Sequence, residues 1–279
     1  MEKMHEKPAA KSVEKRFTVA QLSDLHCGDL RFDQKLMTNC IEIINGEDPD
    51  LTVFAGDLSV DGYREQFEEA KGYIDLISCP NKMVIAGNHD CRNVGYLHFE
   101  ELFGPRSSTI QFTHKGSCGK DLSEQVKVIA VDSNKPDVND GEVGRHNYRF
   151  IESEFVGDAT FKIFILHHHL VHVPGTGRER NIVWDAGDVL QVLRDTHVDI
   201  VLSGHKHVPY VWPLARMYLI TSGTVSTWRT RGRTLPSFNL IHIEGEEITV
   251  HVISSADGSR QSETYPRWWC HERFSSYPR

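Results

Sequence analysis

The sequence has no long apolar run that could cross a membrane. Its first residues, MEKMHEKPAAKSVEKR, are charged throughout and contain no apolar core of a signal peptide. No later apolar run reaches the roughly 20 residues that a membrane-spanning helix needs. Cysteine is also scarce, and the six cysteines form no CxxC pair, which excludes a disulfide scaffold and an all-thiolate metal site. These absences predict a cytoplasmic protein with no membrane partner.

Negative charge exceeds positive charge, and its distribution along the chain is uneven. The net charge of −8 argues against a dedicated nucleic-acid binder. From Ile200 to Ile243, however, the sequence contains no aspartate or glutamate. The same stretch holds five basic side chains: Lys206, Arg216, Arg229, Arg231 and Arg233. Either they form an electropositive patch that attracts an anionic ligand, or they belong to an exposed basic loop.

Apolar, β-prone runs alternate with helix-like runs, as is typical of a layered α/β sandwich. At 279 residues, of which 39% are hydrophobic, one large domain is a better expectation than two. Asp33 caps a helix that Gly46 ends, and a second helix carries Phe67 to Ile77. The last three strands follow one another without helices, so we expect them to be antiparallel and to build the second sheet. The strand-like runs are Phe17–Leu22, Leu51–Ala55, Met83–Ala86, Val126–Val131, Phe161–Leu166, Val198–Leu202, Met217–Ile220, Phe238–Ile243 and Ile248–Ile253.

Side chains that can bind metals follow five of these runs, in the segments SDLHCG, AGDLSVDG, AGNHD, ILHHHL and SGHKH. Because strand ends meet at one rim of an open α/β sheet, we expect these side chains to lie close together. An aspartate in one such turn alone would more simply cap the backbone, but five segments in series favour metal binding. The candidate ligands are Asp24, His26, Asp57, Asn88, His167, His205 and His207.

The ligand set predicts two metal ions. One ion would take Asp24, His26 and His207, and the other would take Asn88, His167 and His205. The Asp57 carboxylate would bridge the two ions, so that each has four protein ligands and keeps open positions, as catalytic sites require. Mixed imidazole, carboxylate and amide ligands suit Mn, Fe, Zn, Co or Ni better than Ca or Mg.

The ordered series DLH, GD, GNHD, H and GHxH, from Phe17 to His207, resembles the calcineurin-like metallophosphoesterase superfamily. The strings DPDLTVFAGDL and MVIAGNHDCR look most like its cyclic-nucleotide phosphodiesterase and glycerophosphodiesterase branch. The protein phosphatases of the superfamily carry GDxVDRG and GNHE, whereas this chain has GDLSVDG and GNHD. The resemblance implies an α/β fold, a four-layer αββα sandwich of two mixed β-sheets flanked by helices. It also implies a binuclear metal-dependent hydrolase of phosphate esters.

Hydrolysis of a phosphodiester needs a strong nucleophile near neutral pH and a sink for negative charge. Two divalent ions about 3.5–4 Å apart supply both, because a bridging hydroxide can attack while the ester oxygens bind the metals. The resemblance assigns the stabilisation or protonation of the leaving alkoxide to His89, which follows Asn88. Asp90 is expected to orient His89 or to shape the turn.

We expect His168, Arg178 and Arg229 to contact the substrate. By analogy with the family, the first member of the triple His167–His168–His169 is the metal ligand, which leaves the other two to hydrogen-bond a ligand or touch substrate. Arg178 lies in a Gly-flanked loop and Arg229 lies in the basic stretch, so either could instead be a solvated loop residue.

The leading function is hydrolysis of a small phosphodiester, such as a cyclic nucleotide or a glycerophosphodiester. The alternatives are a nuclease of the same superfamily, or a non-catalytic interaction scaffold, for which missing ligands would be expected. We expect residues 1–15 to be disordered and residues 16–254 to form the catalytic domain. Residues 255–279 form an aromatic-rich tail, which we expect to pack on the body, on the rim of the cleft or on a second subunit.

Overall fold

A computed structural model describes residues 16–117, 120–156 and 160–268 of the chain. The segment predicted to be disordered, 1–15, and the end of the aromatic tail, 269–279, lie outside these residues. The elements, in chain order, are β1 (Phe17–Leu22), α1 (Gln34–Glu47), β2 (Leu51–Ala55), α2 (Arg64–Asp75), β3 (Lys82–Ile85), α3 (Gly95–Phe103), β4 (Ser108–Ser117), β5 (Lys120–Ala130), α4 (Arg145–Glu154), β6 (Thr160–Ile165), α5 (Ala186–Asp195), β7 (Ile200–Ser203), β8 (Tyr210–Leu214), β9 (Met217–Thr221), β10 (Ser237–Glu244), β11 (Glu247–Ser254) and β12 (Arg260–Pro266).

These strands form two six-stranded mixed sheets. The first sheet has the order β12-β11-β10-β1-β2-β3, in which β1, β2 and β3 are parallel and β10 to β12 are antiparallel. The second sheet has the order β4-β5-β6-β7-β9-β8, with parallel pairing from β5 to β9 and an antiparallel strand at each edge. All the parallel strands therefore present their carboxyl ends to loops that can carry a site.

Three apolar clusters hold the layers together. Side chains such as Val53 and Ile163 fill the space between the two sheets. Helices α1, α2 and α3 pack on the outer face of the first sheet, where Met37 and Phe67 meet Phe54. Helices α4 and α5 cover the second sheet through Ile151, Leu193 and their neighbours. The predicted αββα sandwich of two mixed sheets is confirmed.

The prediction that the last three strand-like runs are antiparallel and form one second sheet was wrong in part. Strands β10 and β11 are antiparallel, but they extend the first sheet from β1, and β9 lies in the second sheet parallel to β7. A connection without a helix sets the direction of neighbouring strands, but it does not say which sheet they join. The first helix also runs past Gly46 to Glu47 and ends at Asp48, whose φ of 47° is left-handed.

Part of the predicted aromatic tail is a strand of the first sheet. Strand β12 pairs antiparallel with β11, from Glu247 opposite Pro266 to Ile253 opposite Arg260. The rings of Tyr265 and Trp268 lie 5.0 and 6.1 Å from the ring of Tyr218 in the second sheet. These two aromatics therefore pack on the protein's own body.

The described helices include none long and apolar enough to cross a membrane. Four of the six cysteines lie in the described residues as free, buried thiols: Cys27, Cys40, Cys79 and Cys91. The cytoplasmic location stays a prediction.

Candidate metal centre

The candidate ligands lie just after the carboxyl ends of parallel strands from both sheets. Asp24 and His26 follow β1, Asp57 follows β2, and Asn88 follows β3. His167 follows β6, and the segment that contains His205 and His207 follows β7. A buried amide joins the two sheets at this rim: Gln21 Nε2 on β1 donates to the carbonyl oxygens of Ser203, at 2.9 Å, and Ile220, at 3.3 Å.

Asp24, His26 and His207 form one group of buried ligand atoms, all within 4.8 Å of one another. His207 Nε2 lies 3.2 Å from Asp24 Oδ1 and 3.0 Å from His26 Nε2. The backbone N–H of His205 donates to the other oxygen of Asp24, Oδ2, at 3.0 Å. Asp24 is thus held by one oxygen while Oδ1 points to the two imidazoles.

Asn88, His167 and His205 form the second group. Asn88 Oδ1 lies 3.2 Å from His167 Nε2 and 2.9 Å from His205 Nδ1, and these two nitrogens are 3.3 Å apart. All three side chains are buried. The separation of these atoms is that of ligands around a common centre.

The Asp57 carboxylate lies between the two groups. Its Oδ2 is 3.3 Å from His167 Nε2 and 3.9 Å from His26 Nε2. Its Oδ1 accepts a hydrogen bond from the backbone N–H of His89 at 2.8 Å. The structure therefore brings all seven candidate ligands together in the two groups expected, with Asp57 joining them.

Five of these seven residues have a left-handed backbone conformation. The φ angles are 56° for Asp24, 52° for His26, 53° for Asp57, 72° for His205 and 58° for His207. Such angles are uncommon for residues other than glycine, and each costs of order 1–3 kcal/mol. The surrounding loops therefore hold the ligands in strained positions, which is typical of functional sites.

Close backbone approach explains two glycines of the motifs. A Cβ at Gly56, where φ is +88°, would lie 2.5 Å from His167 Nδ1. A Cβ at Gly204 would lie 1.7 Å from Ser23 Oγ and 2.7 Å from Asp24 Oδ2. A larger residue at either position would displace a ligand.

The hydrogen bonds around the two groups leave imidazole lone pairs and carboxylate oxygens, all of them acceptors, facing one another. The Nδ1 of His207 contacts the Arg229 carbonyl oxygen, and the Nδ1 of His167 contacts that of Ala55, both at 2.7 Å. A carbonyl oxygen only accepts, so in the neutral rings each Nδ1 carries the hydrogen and each Nε2 presents a lone pair. Within the described part of the chain, buried Asp24 Oδ1 has no hydrogen-bond partner. The donor set thus fits divalent cations, which would satisfy these lone pairs.

The pKa values of the candidate histidine ligands shift in opposite directions. Burial lowers the pKa of His167, but the nearby carboxylates of Asp57 and Asp24 raise it more, to about 9. Burial lowers the pKa of His26 to about 3 and that of His205 well below its usual range. Neutral imidazoles are the form that binds metals.

His89 lies at the edge of the centre and is partly buried. Its ring packs edge-on against the ring of His26, with 4.8 Å between the centroids. Its Nδ1 contacts the Val60 carbonyl oxygen at 2.7 Å, and Arg92 Nη2 lies 3.2 Å from its Nε2. His89 therefore has polar partners on both ring nitrogens.

Asp90 is buried and ties two ligand loops together. Its Oδ1 accepts from the N–H and the hydroxyl of Ser59, at 2.8 and 2.7 Å. Its Oδ2 accepts from the N–H groups of Leu58, at 3.0 Å, and Gly87, at 2.8 Å. Burial, with repulsion from Asp57, raises the pKa of Asp90 to about 6. These contacts shape the turns after β2 and β3, one of the two roles expected for Asp90.

His168 is buried behind the centre. Its Nδ1 contacts Ser133 Oγ at 2.8 Å, and its Nε2 contacts the Asn139 carbonyl oxygen at 3.1 Å. The Asn139 side chain in turn accepts from Asn88 Nδ2 at 3.2 Å, with the effect that Asn88 Oδ1 faces the second ligand group. In this arrangement His168 supports a ligand through Asn139, and both of its ring nitrogens already have partners.

His169 contacts both the candidate ligand His205 and the loop that contains Glu179. Its ring stacks on the ring of His205, with 5.7 Å between centroids, and its Nε2 lies 2.9 Å from Glu179 Oε1. Glu179 also contacts His172 and lies 3.3 Å from the buried Lys206 Nζ. Although burial raises the pKa of Glu179, its bonds to His169 and His172 lower it to about 2.

The two predicted substrate arginines have different positions. Arg229 Nη1 donates to Asp29 Oδ2 at 2.8 Å, and its carbonyl oxygen fixes His207. Arg178 is exposed. Lys206 from the basic stretch is buried against Glu179, so it is not part of an exposed patch.

Arg92, Asn139 and Glu179 also belong to this region, although the sequence motifs did not indicate them. Arg92 lies two positions after Asp90 in the string GNHDCR, so its proximity to the motif was a usable signal. Glu179 follows Arg178 in the Gly-flanked loop, and no motif marks it. Asn139 carries no sequence signal, because only the folded chain brings its loop to Asn88.

Three comparisons with known proteins bear on this site. A family model described as calcineurin-like phosphoesterase matches residues 17–209. The chain is 26% identical over 206 residues to a probable cyclic nucleotide phosphodiesterase of Synechococcus sp., covering 70% of this chain and 74% of the relative. It is 27% identical over 260 residues to a probable cyclic nucleotide phosphodiesterase of Rhodococcus erythropolis, covering 86% and 83%. Among solved structures, GAP50, described as the anchor in the inner membrane complex of Plasmodium, superposes with a TM-score of 0.69 at 16% identity, covering 90% of this chain and 88% of that one.

Proposed function

This chain belongs to the calcineurin-like phosphoesterase family, a family of metal-dependent phosphoester hydrolases, and we propose that it is a binuclear phosphodiesterase acting on a small anionic substrate. The observation that carries this proposal is the pair of buried ligand groups joined by Asp57. The names of the Synechococcus and Rhodococcus relatives support a phosphodiester, such as a cyclic nucleotide. A glycerophosphodiester is the other candidate substrate.

Each ligand group would hold one divalent ion. Asp24, His26 and His207 would hold the first, and Asn88, His167 and His205 the second, with Asp57 shared. When bound, two such ions supply Lewis-acid charge to the phosphoryl oxygens and acidify a water molecule. The donor types favour Mn, Fe, Zn, Co or Ni.

The protein's own contribution is to fix the donors before substrate arrives. The backbone N–H of His205 donates to one oxygen of Asp24, and the backbone N–H of His89 donates to one oxygen of Asp57. In each carboxylate the second oxygen is left to face the centre. Asn139 orients the Asn88 amide, and the carbonyls of Arg229 and Ala55 orient two imidazoles. Such support from neighbouring groups sets the ligand geometry.

The two other function classes have less support. The similarity to GAP50 concerns the fold alone, and that fold serves as an anchor there. A scaffold has no need for seven clustered ligands, five of them on strained backbone. A nuclease would favour a positive surface, whereas the net charge here is −8. A homo-oligomer formed through the C-terminal tail stays a prediction.

A substrate panel tests the proposed function. Metal-loaded protein would be assayed with bis-p-nitrophenyl phosphate, p-nitrophenyl phosphate, cyclic nucleotides, a glycerophosphodiester and a single-stranded oligonucleotide. We expect the small diesters to be hydrolysed faster than the monoester and the oligonucleotide. Preference for the monoester or the oligonucleotide would contradict the proposed substrate class, and hydrolysis of none would favour the scaffold.

A further inference from the structure

We propose that four exposed arginines beside the metal centre bind a second phosphate group of the substrate. They are called the arginine rim below: Arg178, Arg180, Arg231 and Arg233. The substrate is then a phosphodiester that also bears a further phosphate group. This inference rests on the proposed function and narrows its substrate class.

The two loops that carry the arginine rim are in contact. One pair of arginines lies between β6 and α5, and the other lies between β9 and β10. A Cβ at Gly175 would lie 3.3 Å from Gly232 Cα, so the two backbones touch there. Gly232 separates Arg231 from Arg233, and Gly175 lies just before Arg178 in the chain. The four arginines therefore share one part of the surface.

Backbone contacts attach both loops to the GHKH segment. Lys206 Nζ donates to the Arg180 carbonyl oxygen at 2.5 Å. The Thr234 hydroxyl donates to the Arg231 carbonyl oxygen at 2.8 Å and lies 3.4 Å from that of His207. The GHKH segment carries one histidine of each ligand group, so it borders both. The arginine rim therefore adjoins the centre.

The protein does not neutralise the positive charge of the arginine rim. The two loops hold two carboxylates, and both have other partners. Glu179 contacts His169 and lies 3.3 Å from Lys206 Nζ, while Asp185 accepts from the Tyr148 hydroxyl at 2.6 Å. In the part of the chain that the structure describes, no carboxylate forms an ion pair with the four guanidinium groups. The rim is thus a local positive surface that attracts anions, on a protein whose net charge is −8.

A simple phosphodiester does not need this surface. It carries one negative charge, which two divalent ions in the ligand groups would already exceed. A phosphate monoester adds a charge of about −1.5 to −2 near neutral pH, with three acceptor oxygens. The planar fork of an arginine can donate two parallel hydrogen bonds to such a group. The arrangement therefore favours a diester that bears a second phosphate, whether it is built on a nucleotide or on glycerol.

Two esters that differ by one phosphate test the proposal. Thymidine 5′-(p-nitrophenyl phosphate) carries only the scissile diester, and its 3′-phosphorylated counterpart carries a second phosphate. Both release p-nitrophenolate, so the reacting bond is the same. An exposed ion pair changes an equilibrium constant by up to about fivefold, so several pairs should make kcat/KM about 10–100-fold higher for the 3′-phosphorylated ester. The gain should appear mainly in KM and should shrink as salt rises from about 0.05 to 0.5 M.

Variants of the arginine rim assign this preference to its side chains. Arg231→Gln combined with Arg233→Gln removes two charges from one loop and should lower the preference about 5–25-fold. Arg180→Gln, on the other loop, should lower it by up to about fivefold. Arg194→Gln is the matched control, because Arg194 is 52% exposed but lies at the end of α5 that leads into β7, opposite to the centre. It should keep the parent's preference. Equal kcat/KM for the two esters in the parent would overturn the proposal, as would a double variant that keeps the full preference.

Binding of unreactive ligands separates this proposal from the proposed function. By calorimetry, thymidine 3′,5′-bisphosphate should bind the metal-loaded parent about 10–100-fold more tightly than thymidine 5′-monophosphate, and the double variant should lose most of this difference. If neither ester is hydrolysed but this difference is found, the proposed function fails and the arginine rim stands. Equal affinities would overturn the rim whatever the turnover. Metal content and melting temperature should match the parent in each variant, because the four side chains are exposed, and loss of metal would show a structural role instead.

A single-stranded oligonucleotide is the other source of several phosphates. We expect an oligothymidylate without terminal phosphates to bind the parent more weakly than the bisphosphate does, because each of its diesters carries only one charge. An oligonucleotide that binds more tightly than the bisphosphate, and that loses more affinity in the double variant, would assign the arginine rim to a nucleic-acid strand and overturn the proposal.

Discussion

Removing the Asp90 carboxylate should destabilise the loops that carry Asp57 and Asn88. In the structure this carboxylate accepts three backbone N–H bonds, from Leu58, Ser59 and Gly87, and one hydroxyl bond. An unsatisfied buried N–H costs about 1–3 kcal/mol. Asp90→Ala leaves three of them, and water entry relieves part of the cost, so we expect a loss of about 3–5 kcal/mol.

Calorimetry of the metal-free protein measures this loss directly. At roughly 2–4 °C per kcal/mol for a chain of this size class, the melting temperature should fall by roughly 6–20 °C. Metal affinity should fall as well, because the loops after β2 and β3 lose their common anchor. Ser59→Ala is the control: it keeps the three backbone bonds to Asp90 and should cost about 1–2 kcal/mol. An Asp90→Ala protein with unchanged melting and metal affinity but no turnover would refute this structural role.

Two further predictions concern the sheet away from the centre. Truncation after Ser255 removes β12 and the packing of Tyr265 on Tyr218, so calorimetry should show a lower melting temperature; unchanged melting would contradict this. Burial, with the positive charges of Arg16 and His251, lowers the pKa of His242 to about 4. The unfolded chain, with a histidine pKa of about 6.5, then binds more protons between these values, so stability falls as pH falls through this window. His242→Gln should lose less stability than the parent between pH 7.5 and 4.5, and equal losses would argue against the shift.

The buried strands could be predicted from the sequence, and the edge strands could not. Strand β1 is buried along its whole length, so its mostly apolar, β-prone run has the predicted bounds, Phe17–Leu22. Strand β12, with the sequence RQSETYP, is mostly exposed, and its residues carry no apolar pattern. Strand β8 is likewise largely exposed and contains Pro213, which the edge of a sheet tolerates.

The clustering of the candidate metal ligands was predictable because each follows a strand that the sequence reveals. The supporting residues were not, since their contacts depend on how distant loops meet. Asn139 reaches Asn88 across 51 positions of the chain, and His168 reaches Ser133 across 35. The direction of the His89 ring depends on Val60 and Arg92 together, which no motif encodes.

Metal content measured together with turnover tests the central claim most directly. Purified protein should carry up to two transition-metal ions per chain, and a chelator should abolish hydrolysis of bis-p-nitrophenyl phosphate, which added Mn should restore. Asp57→Ala should lose at least one ion and nearly all turnover, because its carboxylate lies between both ligand groups. Full turnover in a metal-free preparation would contradict the account.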